Sequence, residues 1–456
     1  MKNYAFKKAA ELPSINELPD PFLKPDGSRV GSVEEWDEQR VYLKELMAHY
    51  LYGHRPENVG MATGEVVHAR LAYDGKALAE DVLISAGRNK EVKFLAHIIR
   101  PITDHVVPVM VLTQNGQLAE MPKEVTDALP ETIWNKYTGP WGCIIEEEIV
   151  CERGYAIVEF NGNQLAYDGP EGLHGPAASA FPECDWGVIA IWSWGHSCIL
   201  DYLSTTDWAD KDKFVATGHS RFGKTALCAA IYDERYAVCA PTGSGCGGSG
   251  CFRFMGSRLG EGLGPCETAG SMNDLLCHFW SENFGEFGNR IYSHTRSTFP
   301  EGVDQWTRFL TYYGHKEALN MLGKTYNEDL LPFDMHFAKA LIAPRGLVTS
   351  DAMSDAWANP FGIHVTWRAA QEVFDFLGVP ENNAMYFREG GHFFDKMDWW
   401  AVADFCDKYF YEKEPKCYLQ FVPHYPKELG MYETSLKNQD WRIIKLHYNW
   451  SNPLED

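Results

Sequence analysis

Thr217-Gly218-His219-Ser220-Arg221-Phe222-Gly223-Lys224 is the stretch that decides the fold. The apolar run Phe214-Val215-Ala216 precedes it, and the helix-forming run Thr225-Ala226-Leu227 follows. The pattern reads as strand, tight turn and helix, with a serine on the turn. Such a turn strains the serine backbone and presses it against neighbouring strands, so small residues must flank it. Gly218 and Gly223 meet that need, although the second glycine stands one residue later than in the strict Gly-x-Ser-x-Gly spacing. The serine reads as a nucleophile. A helix N-terminus beneath it favours developing negative charge, and the Arg221 N–H is placed to donate to an oxyanion.

A serine hydroxyl needs a base within hydrogen-bond reach, and that base needs an orienting carboxylate. On a strand–turn–helix scaffold of this kind the chain order is Ser, then Asp or Glu, then His. His392 suits the base, in the glycine-flanked loop Glu389-Gly390-Gly391-His392-Phe393 after a predicted strand. His49 and His54 end a helix and His196 lies within an apolar one, so these read as structural. The acid candidate is Asp355, in a loop after another predicted strand, with Asp351 as its near competitor.

Outward from these loops the chain alternates strands and helices. Strands are predicted over 155–160, 214–218, 236–240, within 341–350 and over 384–387. Helices are predicted over 186–202, 224–232 and 399–411. Alternation of this kind gives a mainly parallel sheet covered by helices on both faces. Before it, four runs between residues 62 and 113 read as antiparallel strands that start the sheet, and 34–52 reads as an amphipathic helix ending at Gly53. The expected fold is a three-layer α/β-hydrolase sandwich in a single domain over 1–456. An N-terminal arm and helix in 1–60 pack on the core, and 418–456 form a C-terminal tail.

Composition narrows the function. The 456 residues carry 41 Lys+Arg against 63 Asp+Glu, a net charge of −22, which repels phosphate backbones and anionic lipid. Nucleic acid and membranes are therefore not expected partners. The twelve cysteines form no Cys-x-x-Cys pair and no zinc-spaced cluster; Cys198, Cys228 and Cys239 sit in apolar runs and read as buried thiols. No metal is expected. The opening Met1-Lys2-Asn3-Tyr4-Ala5-Phe6 has no apolar segment of a signal peptide, so the sequence as it stands is expected in the cytoplasm, or outside it if a leader was trimmed. Aromatic residues make up 14% of the chain, with 15 Trp, and aromatic faces stack on sugar rings as well as filling cores.

The sequence resembles the glucuronoyl esterases, carbohydrate esterase family 15, in particular the bacterial branch, over roughly residues 18–415. The resemblance rests on Gly218-His219-Ser220-Arg221-Phe222-Gly223-Lys224-Thr225-Ala226-Leu227, on Ser244-Gly245-Cys246-Gly247-Gly248 and on the Asp-x-Trp-Ala-x-Pro loop from Asp355 to Pro360. Leu331-Pro332-Phe333-Asp334 and Ile342-Ala343-Pro344-Arg345 add to it. It implies hydrolysis of the ester between 4-O-methyl-glucuronic acid on xylan and lignin alcohols, by a monomer without a cofactor. Ser220 would be the nucleophile, His392 the base, Asp355 the acid and Arg221 an oxyanion stabiliser. Lys224, Glu267 and Trp357 would contact the sugar. The Cys277-His278-Phe279-Trp280-Ser281-Glu282-Asn283-Phe284 segment resembles a family motif with two aromatics exchanged and reads as structural support.

The sequence departs from the family pattern at position 243. Many members carry a catalytic Glu there, just before Ser-Gly-x-Gly-Gly; this chain has Gly243. A glycine cannot orient a histidine, so the acid is expected at Asp355. The fungal disulfide cysteine is likewise replaced, by His219. Two other readings share the residues: an acetyl xylan esterase or general carboxylesterase with the same triad, and a catalytically impaired sugar-binding homologue.

Overall fold

In the computed structural model, residues 4–15, 17–114, 143–253, 267, 269–274, 276–287, 328–355 and 357–421 are described. Nine strands among them form one sheet: β1 (Thr63–Ala72), β2 (Ala77–Ala86), β3 (Val92–Pro101), β4 (Val107–Gln114), β5 (Ala156–Asn161), β6 (Ala209–His219), β7 (Tyr236–Thr242), β8 (Gly346–Ala352) and β9 (Asn383–Arg388), in the order β1-β2-β3-β5-β4-β6-β7-β8-β9. The β1–β2, β2–β3 and β3–β5 pairs are antiparallel, and all pairs from β5–β4 to β8–β9 are parallel. The α/β-hydrolase expectation therefore holds, with one correction. The fourth early run, β4, is not an antiparallel starter strand but lies parallel between β5 and β6. Its burial says why: all eight residues are buried, as in a central strand covered on both faces, whereas β2 alternates buried and half-buried positions at its two ends.

The principal helices are α1 (Val33–Met47), α2 (Val188–Leu203), α3 (Arg221–Tyr232), α4 (Met335–Ala340), α5 (Pro360–Phe376) and α6 (Lys396–Tyr411). The predicted first helix continues past Met47 as a wider turn over Ala48–Tyr52 and stops at Gly53, where φ is +80°. Successive strand residues feed opposite faces. Val109, Val111, Phe214 and Ala216 pack with apolar residues of α2, α3 and α4, while Met110, Leu112 and Val215 pack with Trp399, Val402 and Phe405 of α6. Cys198, Cys228 and Cys239 are buried free thiols, as their apolar surroundings predicted. Residues 422–456 of the predicted tail lie outside the described residues.

Three chain segments leave the C-terminal ends of parallel strands on one side of this sheet: the turn from β6 into α3, the loop after β8 and the loop after β9. That edge is where open α/β sheets bind ligands, because loops there splay apart above the strand ends.

Candidate active site

Ser220 occupies the single residue between β6 and α3, with φ 57° and ψ −126°. A non-glycine residue held there costs about 1–3 kcal/mol, so its surroundings must fix it. They do so through the backbone: Ser220 N–H donates to Thr242 O at 2.9 Å, and Ser220 O accepts from Gly223 N–H at 2.9 Å and Lys224 N–H at 3.1 Å. A Cβ on Gly218 would stand 2.5 Å from Phe222 O, and one on Gly223 2.9 Å from Gly218 O. The late second glycine is thus required where it stands. The residue in the usual glycine position, Phe222, turns its ring toward Trp192 at 5.3 Å between centroids.

The three predicted partners meet. His392 Nε2 lies 2.9 Å from Ser220 Oγ, and His392 Nδ1 lies 2.6 Å from Asp355 Oδ2. The other Asp355 oxygen accepts the Ala358 N–H at 3.1 Å, which fixes the carboxylate. Asp355 is 3% exposed, so the carboxylate end of its bond to the imidazole is shielded from water, while the His392 ring is half-buried. The competitor Asp351 is also buried, but neither of its oxygens finds a hydrogen-bond partner among the described residues. Burial pushes its carboxyl well above the usual range, against the opposing charge of Lys339.

The Arg221 guanidinium donates to Asp168 Oδ2 at 2.5 Å and lies 5.7 Å from the centre of the Phe279 ring. Asp168 also lies 3.5 Å from His278 Nε2. Burial pushes the Asp168 carboxyl up, but the Arg221 and His278 partners outweigh it and hold the group well below the usual carboxylate range. The motif over 277–284 is therefore tied to the site: His278 and Phe279 both support the Arg221 side chain through these contacts. Sequence reasoning missed Asp168, which stands in no motif.

Lys224 and Glu267 do not stand as separate arms. Lys224 Nζ donates to Glu267 Oε2 at 2.8 Å and to Ser244 O at 2.5 Å, with side-chain exposures of 1% for Lys224 and 5% for Glu267. Gly245 makes this possible, because a Cβ there would meet Glu267 Oε2 at 2.0 Å. Trp357, half-buried, joins the same corner by accepting the Glu267 N–H on its backbone oxygen at 3.0 Å.

At position 243 the chain has φ +47°, and a Cβ there would stand 2.5 Å from His219 Cε1. The His219 ring sits 4.6 Å from the His392 ring, centroid to centroid, and its Nδ1 lies 3.1 Å from Thr242 Oγ1. Burial holds the His219 imidazole well below its ordinary range, and the neighbouring His392, Arg388 and Lys224 add to the effect. A neutral ring thus packs beside the base in the space a side chain at 243 would need.

Comparison with known proteins gives the family. The family model described as "Glucuronyl esterase, fungi" matches residues 110–297 and 304–378, together more than half of the chain. A carbohydrate esterase from an unknown prokaryotic organism is 26% identical over 441 residues, covering 87% of this chain and 90% of that protein. A 4-O-methyl-glucuronoyl methylesterase of Schizophyllum commune is 27% identical over 388 residues, covering 83% of this chain and 78% of that protein. Among solved structures, the family 15 glucuronoyl esterase from Caldicellulosiruptor kristjansonii superposes with a TM-score of 0.63 at 26% identity, covering 89% of this chain and 93% of that one. With a serine on a strained turn after the sixth strand and a family model that matches more than half of its residues, the chain belongs to the glucuronoyl esterase family of carboxylic ester hydrolases.

Proposed function

We propose that this protein hydrolyses the ester between 4-O-methyl-D-glucuronic acid of glucuronoxylan and lignin alcohols, through an acyl-enzyme on Ser220. The observation that carries the reading is the unbroken line Ser220 Oγ–His392 Nε2, His392 Nδ1–Asp355 Oδ2, at 2.9 and 2.6 Å. The family match supplies the substrate class.

His392 takes the Ser220 proton as Oγ attacks the uronoyl carbonyl carbon. The carbonyl oxygen becomes an oxyanion, faced by the Arg221 N–H and guanidinium. The Asp355 carboxylate orients and stabilises the imidazolium. Collapse expels the alcohol, which takes the proton from His392 Nε2, and leaves the uronoyl group on Ser220. Water then enters, gives a proton to His392 and attacks the acyl carbon; Ser220 Oγ recovers that proton as uronic acid departs. Lys224, Glu267 and Trp357 form the corner proposed to recognise the sugar, with the Lys224–Glu267 pair as a fixed polar wall.

Hydrolysis of benzyl D-glucuronate beside Ser220→Ala and a 4-nitrophenyl acetate control tests this. Uronate-ester cleavage that depends on Ser220 supports the proposal. Cleavage of the acetate alone would keep the triad and discard the uronate assignment, and full activity in Ser220→Ala would sink both.

A further inference from the structure

Arg388, the last residue of β9, has a side chain 4% exposed to solvent and binds the loop that carries His392. Its Nη1 donates to Glu389 O at 3.1 Å and Gly391 O at 3.4 Å; its Nη2 donates to Gly391 O at 3.4 Å and to Phe393 O. The carbonyls on both sides of His392 are thus held by one guanidinium. Its Nε donates to Asp398 Oδ2 at 2.8 Å. Asp398, 1% exposed, accepts from Ser350 Oγ of β8 at 2.5 Å and from the Asp395 N–H at 2.8 Å. The loop is also clipped to the acid loop, since Ser354 N–H donates to Gly390 O at 3.0 Å and Met353 N–H to Arg388 O at 2.8 Å.

A planar guanidinium with five N–H groups can serve a carboxylate and several carbonyls at once, which an ammonium cannot. A loop with glycines at 390 and 391 has little intrinsic stiffness, so its shape depends on what binds its carbonyls. A misplacement of about 1 Å at a reacting group can cost about 10²-fold in rate. We infer that Arg388, braced by Asp398, is a positioning residue that sets the register of His392 between Ser220 and Asp355. Both side chains are buried and bind the histidine loop, so the pair acts through the histidine. The inference rests on the role of His392 in the proposed reaction.

Arg388→Lys keeps the charge opposite Asp398 and loses the fork; Asp398→Asn keeps the shape and removes the charge that orients the guanidinium. Both are measured for kcat and KM on benzyl D-glucuronate, or on 4-nitrophenyl acetate if only that ester is cleaved. The downfield proton resonance of the His392 Nδ1–H···Asp355 bond is recorded as well. The expected result is a kcat lowered by about 10- to 100-fold at unchanged KM, with that resonance broadened or lost, in variants whose circular dichroism matches the parent. Should Arg388→Lys not fold, Asp398→Asn carries the same expectation. A folded variant with kcat within threefold of the parent and an intact resonance would overturn the inference. Loss of all activity in Ser220→Ala beside such a variant would leave the esterase reading standing, which separates the two failures.

Discussion

Gly243 lies so close to His219 that a side chain at 243 would have to displace the ring: an ideal Cβ there would stand 2.5 Å from His219 Cε1, on a backbone at φ +47°. Non-bonded carbon atoms favour about 3.5–4.0 Å, so the ring and a side chain cannot share this space. The resemblance drawn from the sequence implies a catalytic Glu at position 243 in many relatives, where this chain has glycine. The absence of that Glu leaves Asp355 as the carboxylate on His392 Nδ1, at 2.6 Å.

Asp355→Asn is therefore expected to lower kcat by about 10⁴, the scale seen when a triad acid becomes an amide. The asparagine can no longer stabilise the imidazolium, and no carboxylate stands in reserve at 243. Steady-state kinetics at neutral pH on benzyl D-glucuronate check this. A loss below tenfold would show that another group orients His392.

Placing an acid at 243 alone is not expected to rescue that variant. Gly243→Glu puts a side chain on a left-handed backbone, a cost of about 1–2 kcal/mol, and drives it into His219. Adding His219→Ala removes the ring and opens a path from residue 243 toward His392. We expect Asp355→Asn/Gly243→Glu to stay inactive and to melt lower than Asp355→Asn. The triple variant with His219→Ala is expected to regain part of the rate. Recovery in the double variant would contradict the steric account.

Asp168→Asn is expected to lower kcat by about 10²–10³, the scale of losing one oxyanion donor, because the Arg221 guanidinium loses the carboxylate that aims it. Arg221→Ala should cost a similar factor. Since both act through one group, the double variant should be no slower than Arg221→Ala alone. Multiplied losses would mean that Asp168 acts by a separate route.

Away from the site, Glu159 on β5 makes stability pH-dependent. Burial pushes its carboxyl up to about 7, with Glu146 adding and His97 opposing. A group whose folded pKa is raised contributes stability that is fully present below its unfolded value, 4.5, and is lost as pH rises through about 7. The loss by pH 8 is on the order of 3 kcal/mol. Glu159→Gln mimics the protonated form, and a turn of the Gln114 amide, whose Oε1 is buried without a partner, can accept its N–H. Melting temperatures at pH 5 and pH 8 should show the variant gaining on the parent at pH 8. An equal difference at both values would discard the assignment.

The stretch around Ser220 determined a great deal by itself. Strand, tight turn and helix are local preferences, and the small residues the turn needs stand within three positions of the serine, so one window of sequence revealed both the nucleophile and the fold class. The base was legible too, because His392 alone followed a pair of glycines after a predicted strand. The choice between Asp355 and Asp351 was not settled by the sequence, since both follow the predicted strand; in the folded chain Asp351 falls within β8 and Asp355 in the loop after it, and only the tertiary structure carries Asp355 to His392. The same holds for ion pairs. Lys224 meets Glu267 across 43 residues and Arg221 meets Asp168 across 53, and nothing periodic in the sequence announces either pair. The apolar run of β4 suits a central strand, but its parallel place between β5 and β6 was set by the assembled sheet and not by its position in the chain. Short-range preferences are properties of the backbone and adjacent side chains and are written in the sequence order. Partner choice is a balance of desolvation, charge and packing between distant segments, and only the folded chain brings those terms together.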